Sequence, residues 1–223
     1  MKPWETLGEA RTPDGQVMTL TRRDTEYLIL VGRQTLMTNR MHESEDALGR
    51  LACEPLRRAE QPRVLVGGLG MGFTLRAVLD HLPADASVIV AELLPEVVEW
   101  NRGVLAPLAG RPLDDPRVTV IVGDVRAVVA AHQAAFDAVI LDVDNGPEAF
   151  ASSANGGLYG DTGLFAIRTA LKFGGTLAVW SVWPDKHFPH RLSYAGYSVR
   201  TEHVRTRVKR GGARHVIYLA KNG

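Results

Sequence analysis

The run Arg63-Val64-Leu65-Val66-Gly67-Gly68-Leu69-Gly70-Met71-Gly72-Phe73-Thr74 constrains the fold of this chain more than any other stretch. A short apolar run ends in glycines and passes into Thr74-Leu75-Arg76-Ala77-Val78-Leu79, which reads as helix. The order is strand, tight turn, helix. Glycines at alternate positions (Gly68, Gly70, Gly72) let a backbone approach a ligand where a Cβ would clash. The helix N-terminus beyond them offers N–H groups and a partial positive charge. The spacing is G-x-G-x-G and departs from the G-x-G-x-x-G of the dinucleotide fingerprint.

From Gln61 onward the pattern alternates between strand and helix. Strands are expected at Val64–Val66, Ser87–Ala91, Val118–Val122, Ala138–Leu141 and Thr176–Trp180. Between them lie helices from Pro95 to about Asn101, over Val125–Gln133 and over Thr162–Lys172, the last ended by Gly174-Gly175. Such alternation predicts an α/β fold with a parallel, doubly wound sheet covered on both faces. The tail differs. Tyr197–Thr206 and Arg214–Leu219 flank Lys209-Arg210-Gly211-Gly212, a β-hairpin that brings one antiparallel strand to the sheet.

Residues 1–40 read as a small sheet of roughly three strands, and residues 41–223 as the Rossmann-like domain. Thr12-Pro13-Asp14-Gly15 is a turn, and Val17–Leu20, Tyr27–Val31 and Thr35–Met37 are the strands. A sheet this small must pack on the main domain or on a second subunit. Glu43-Ser44-Glu45-Asp46 opens a helix, acids suiting its first turn, with Ala47, Leu48, Leu51 and Ala52 as its apolar side.

Composition narrows the function classes. A formal net charge of +1 gives no general reason to expect a nucleic-acid partner. The basic side chains of the final hairpin suit an edge strand that must avoid pairing. No apolar run reaches the length of a membrane span, and the N-terminus lacks the apolar core of a signal peptide, so a cytoplasmic protein is expected. The single cysteine, Cys53, falls on a helical apolar face and reads as a buried structural thiol. His187 and His190 flank Pro189 with no further Cys/His cluster, and no metal is expected.

In an open α/β sheet the ligand sits beyond the carboxyl ends of the strands. Here those ends carry Glu92, Asp124, Asp142 and Asp144. Four carboxylates at three successive strand ends make a negative cleft suited to a cationic ligand. Trp180 and Trp183 follow the fifth strand and either wall a substrate pocket or pack on the neighbouring loop. Tyr159 ends the long loop from Asn145, which has the length of a lid.

These segments resemble the spermidine synthases. The glycine run followed by Leu75-Arg76 resembles their cofactor loop. Ala91-Glu92-Leu93-Leu94-Pro95-Glu96, Gly123-Asp124-Val125-Arg126, Phe136–Asp142, Leu158-Tyr159 and Leu171–Leu177 continue the match. The resemblance implies a branch of the S-adenosylmethionine (AdoMet)-dependent methyltransferase fold, that of the polyamine aminopropyltransferases, which carry a small N-terminal β-domain and are usually dimers. It implies a cofactor site at Gly68, Gly70 and Gly72, with Glu92 on the ribose and Asp124 and the Val125 backbone on the adenine. Asp142 corresponds to the acid that takes a proton from the attacking amine. Asp144 lies near a second acid that binds the amine. Tyr159 and Trp180 are further candidates for substrate contact, read from their places after strands four and five. The donor implied is AdoMet or its decarboxylated form, as co-substrate. Aligned on Leu75-Arg76, Met71 stands where the family has an acid that contacts the donor's amino group. Met41-His42-Glu43 is one candidate for the family's Tyr-His-Glu triplet.

The leading expectation is therefore a spermidine synthase-like transferase that moves an aminopropyl or methyl group to a small amine, acting as a homodimer. A catalytically silent protein that binds the nucleoside as sensor or partner is the alternative. An NAD-dependent enzyme is disfavoured by the G-x-G-x-G spacing and by Asp124.

Overall fold

The computed structural model describes residues 2–143, 156–205 and 214–223. Four strands open the chain: β1 (Glu5–Arg11), β2 (Val17–Arg23), β3 (Glu26–Val31) and β4 (Gln34–Thr38). They form an antiparallel meander in the order β1-β2-β3-β4. Sequence reasoning expects three strands there, and β1 is the addition. Only Ala10 of β1 is buried, so the strand carries no alternating apolar signature. It is held by pairing with β2 and by contact with a later helix: a Cβ on Gly8 would come within 2.5 Å of Trp100 Nε1.

Helix α1 (Glu43–Cys53) then leads into the main sheet. Strands β5 (Arg63–Gly67), β6 (Ser87–Glu92), β7 (Val118–Val122), β8 (Phe136–Leu141) and β9 (Leu171–Ser181) are mutually parallel. They alternate with α2 (Phe73–His81), α3 (Pro95–Arg102), α4 (Val125–Ala130), α5 (Gly156–Tyr159) and α6 (Asp161–Ala170). After α7 (Phe188–Tyr194) come β10 (Tyr197–Arg205) and β11 (Arg214–Asn222). The seven-stranded order is β10-β11-β9-β8-β5-β6-β7. Strand β11 runs antiparallel to both neighbours, as the hairpin pattern predicts. The glycine turn expected at Lys209–Gly212 lies outside the described residues.

Two details differ from expectation. Gly174-Gly175 does not terminate α6; the helix ends at Ala170 and β9 already begins at Leu171. The glycines sit inside β9 at a register shift against β8, where Gly174 has φ +76° and a Cβ on Gly175 would meet Lys172 O at 2.9 Å. Helix α7 was not anticipated, since seven residues beginning near a proline give too short a period to read.

The sheet separates two cores. Val64, Val66, Ala138, Ile140, Ala178 and Trp180 face a core shared with α1, α2, α3 and the first sheet. Leu65, Val139, Leu141, Leu177 and Val179 face the other, closed by α4 to α7. This period-two alternation assigns every strand residue to one side. Cys53 is fully buried in the first core, and burial pushes its thiol up to about 12, so it is inert packing. Gly49 lets α1 approach α2 closely: a Cβ there would fall 2.6 Å from Ala77 Cβ. Among the described residues no helix is long and apolar enough to cross a membrane.

Candidate active site

The carboxyl ends of four adjacent strands are hydrogen-bonded across one edge. Asp142 N donates to Gly67 O (2.9 Å), Gly68 N to Ala91 O (2.9 Å) and Gly123 N to Glu92 O (2.8 Å). The glycine loop, Glu92, Asp124 and Asp142 thus form one row at the end where ligands bind in open α/β sheets.

Within that row the glycines have a reason beyond ligand approach. Gly68, Gly70 and Gly72 all have positive φ, at +88°, +52° and +85°. A Cβ on Gly68 would lie 2.3 Å from Asp142 O, and one on Gly70 would lie 2.9 Å from Met37 Cε of β4. One on Gly72 would lie 3.0 Å from Asn101 Oδ1. The chain's own atoms fill each place. Asn101 was not singled out from sequence. Its buried amide donates to Gly70 O (2.8 Å) and Val97 O (2.9 Å), fixing the loop to α3. The signal was a polar residue three and four places after the buried Val98 and Val97 of that helix.

Glu92 is buried, and both its oxygens are used. Oε2 accepts from Leu69 N (2.9 Å) and Oε1 from Leu94 N (3.0 Å), which clamps the loop to the end of β6. An ionised carboxylate has about four lone-pair sites and can accept several donors at once. Asp124 caps α4 by accepting from Arg126 N (2.8 Å), and it takes Arg126 Nε (2.8 Å) and Nη2 (2.6 Å) on its other oxygen. The Arg126 guanidinium holds its carboxyl below the usual range. The buried Val125 packs on Gly67, where a Cβ would meet its Cγ2 at 2.9 Å.

Asp142 follows β8 directly. Thr74 Oγ1, on the first turn of α2, donates to Asp142 Oδ2 at 2.5 Å. Burial pushes the Asp142 carboxyl above its ordinary range, and the Thr74 bond opposes the shift. A second carboxylate, missed from sequence, feels its charge. Glu45 of α1 is only 6% exposed, and its carboxyl is raised by burial and then by the Asp142 charge. The acids at 43–46 are therefore not all solvent-facing first-turn residues. Ser44 and Glu45 are buried on the same face as Leu48, Gly49 and Ala52. The spacing 45, 48, 52 could have disclosed this.

Around this pair, Ser44 Oγ donates to Glu45 Oε2 (2.5 Å) and lies 3.1 Å from His215 Nδ1. The Trp180 ring meets His215 edge-on at 4.7 Å. His42 stacks on Phe73 at 4.1 Å and pairs with Asp46 at 2.8 Å.

Other expected site residues are distributed differently. Trp180 belongs to the core under α1, whereas Tyr159 is buried in the opposite core, edge-on to Phe188 at 5.8 Å. The sheet separates the cores to which the two belong. Met71 is fully buried in the first core. Asp144 lies outside the described residues. Chemically, the row offers a fixed loop, a clamped acid for hydroxyls and a protonatable carboxylate at a strand end.

Comparison with known proteins places these features in context. The model of the spermine/spermidine synthase domain matches residues 50–184. A polyamine aminopropyltransferase of Pseudomonas aeruginosa is 35% identical over 144 residues, covering 61% of this chain and 39% of the relative. Putrescine N-methyltransferase 1 of Nicotiana tabacum is 33% identical over 139 residues, covering 60% and 35%. The chain thus aligns with well under half the length of these curated relatives. The crystal structure of spermidine synthase from Thermotoga maritima superposes with a TM-score of 0.73 at 19% identity, covering 98% of this chain and 73% of that one.

Proposed function

Because the chain belongs to the spermine/spermidine synthase family, we propose that it transfers an alkyl group, aminopropyl or methyl, from decarboxylated AdoMet or AdoMet to a small amine, with Asp142 as base. The observation that carries this reading is the Asp142 carboxyl. It stands beside the glycine loop at the end of β8, and burial raises its affinity for a proton. A carboxylate tuned upward is a better base near neutral pH than an ordinary one. A sulfonium donor supplies an electrophilic carbon and a neutral leaving sulfur, so the chain has mainly to align and to deprotonate.

The roles follow from the groups present. An alkylammonium is cationic at neutral pH, and the acids at the strand ends attract it. Asp142 takes its proton, and Thr74 fixes the carboxylate that does so. Glu92 accepts the ribose hydroxyls as an ionised carboxylate, which can take several donors at once. Asp124 and the Val125 backbone receive the adenine, with Asp124 shared between Arg126 and the base. Asp144 is assigned to the amine by the family resemblance alone.

Met71 bears on the donor. A decarboxylated tail is a lone cation that calls for an acid, whereas the AdoMet tail carries its own carboxylate. A buried methionine at 71 favours AdoMet. Putrescine, named in the tobacco relative, is the first acceptor to test. Calorimetry with each donor decides between them: a tenfold preference, about 1.4 kcal/mol, for decarboxylated AdoMet would reverse the assignment. Asp142→Asn is expected to abolish turnover while keeping donor affinity, and unchanged turnover would remove Asp142 as base. A dimer acting in the cytoplasm accompanies the family reading, and light scattering on the purified chain tests the dimer.

A further inference from the structure

Within the glycine loop, Gly68 and Gly70 keep accessible surface, whereas Leu69, Met71 and Gly72 are buried. The Gly68 N–H is spent on Ala91 O. The Gly70 N–H makes no hydrogen bond among the described residues. Gly70 is therefore the residue from 68 to 72 that has both a free backbone donor and a surface from which to offer it. A glycine with φ +52° is also the residue whose backbone is least able to hold one conformation by itself. Something outside it must fix the direction of that N–H.

Asn101 supplies that hold. Its Nδ2 donates to Gly70 O at 2.8 Å and, with its second N–H, to Val97 O at 2.9 Å, one turn earlier in α3. The amide cannot be turned over, because its oxygen would then face two carbonyl oxygens. As placed, Oδ1 is buried, has no hydrogen-bond partner and lies against Gly72. Pro112 Cγ and Ala109 Cβ close the same space, at 3.1 and 3.5 Å from the Cβ position of Gly72. No ligand fits beside Asn101, so its effect on one is exerted through Gly70. A buried acceptor without a partner is destabilising, and a leucine of similar volume would avoid it. What the amide contributes instead is a fixed Gly70 carbonyl.

Resting on the reading above that this loop binds the donor nucleoside, we propose that Asn101 is a positioning residue for donor binding. Its amide ties Gly70 O to α3 and thereby presents the Gly70 N–H to an acceptor oxygen of the donor. Glu92 holds the preceding residue by Leu69 N, so β6 and α3 together set the loop before the donor arrives. A loop already ordered loses less conformational freedom on binding, and the affinity gains by that amount. Asn101 meets no reacting atom. Its contribution falls on donor affinity and leaves the transfer step unaltered.

The test titrates the full chain with AdoMet and with decarboxylated AdoMet by calorimetry. Asn101→Leu is expected to raise Kd for the better donor about tenfold, with kcat at saturating donor and KM for putrescine held within about twofold. Asn222→Leu is the control. Asn222 is also a buried asparagine whose Nδ2 donates to backbone carbonyls, Lys172 O at 3.1 Å and Arg168 O at 3.3 Å, but it ends β11. It should lower Tm and leave Kd within about twofold. Asn101→Asp is a second variant of unchanged shape. Its carboxylate repels Gly70 O, whereas the protonated acid regains one donor. Its Kd, relative to wild type, should recover from about pH 8 to about pH 5, since burial raises a carboxyl pKa. By nuclear magnetic resonance the Gly70 amide should shift when donor saturates wild type. Equal Kd changes in Asn101→Leu and Asn222→Leu, or an unchanged Kd in both Asn101 variants, would overturn the proposal. So would a Gly70 amide that donor does not move. If wild type binds a donor yet releases no thioether nucleoside with putrescine, the transfer reading fails and the Kd comparison still decides Asn101. If neither donor binds, both fail.

Discussion

Replacing Gly68 by alanine separates two explanations for the glycine loop. If the glycines serve only ligand approach, the free protein should tolerate a methyl group. The structure says otherwise. Gly68 has φ +88°, and the new Cβ would lie 2.3 Å from the carbonyl oxygen of Asp142. Left-handed backbone costs an L-residue roughly 1–2 kcal/mol. The clash adds about 1–3 kcal/mol, as overpacking does, because the obstructing atom is backbone at the end of β8 and cannot rotate away. Gly15 is the control. Its φ is +84°, yet nothing lies within 4 Å of its Cβ position. Gly15→Ala therefore bears the conformational term alone. For a chain of this size 1 kcal/mol moves Tm by about 2–4 °C, so Gly68→Ala should melt about 2–12 °C below Gly15→Ala. Calorimetry on the ligand-free proteins reads the difference. Equal melting temperatures would refute the packing account and return the glycines to the ligand.

Other perturbations address the acids and the helix that positions them. Glu45 is raised in the folded protein, so its stabilising contribution is complete below the ordinary carboxylate value and is lost as pH rises through the raised one. Thermal melts from acid to mildly alkaline pH should accordingly fall more steeply for wild type than for Glu45→Gln; parallel slopes would contradict the burial argument. Thr74→Val removes the bond that opposes the Asp142 shift, so the acid limb of the rate profile should move to higher pH, as a pH–rate series would record. Gly49→Ala puts a methyl 2.6 Å from Ala77 Cβ and should push α1 from α2 at a cost of about 1–3 kcal/mol, measured by denaturant unfolding.

The fold was legible where burial wrote a pattern. Val64–Val66, Val118–Val122 and Ala138–Leu141 are continuous β-branched and aliphatic runs, and glycines and acids punctuate them. Strand β1 and helix α7 were not legible, because one buries a single residue and the other spans two turns. The strand-end acids could be found by following each apolar run to its last residue. Glu45, Ser44 and His215 could not be assembled this way, because their meeting depends on how α1 packs against β11, which tertiary contacts decide rather than local period. Trp180, at the end of strand five, and Tyr159, after the loop from Asn145, are each candidates for the substrate side. Strand parity put Trp180 in one core, and Tyr159, arriving on a helix, packed into the other.

Met37 of β4 occupies the space that a side chain at position 70 would need. The two positions therefore share one volume: a side chain at 70 requires the tip of Met37 to swing away or residue 37 to shorten. A substitution history of the glycine loop would then be written twice, once in the loop and once in the first sheet. An engineer who wants a side chain at position 70 should begin by editing β4.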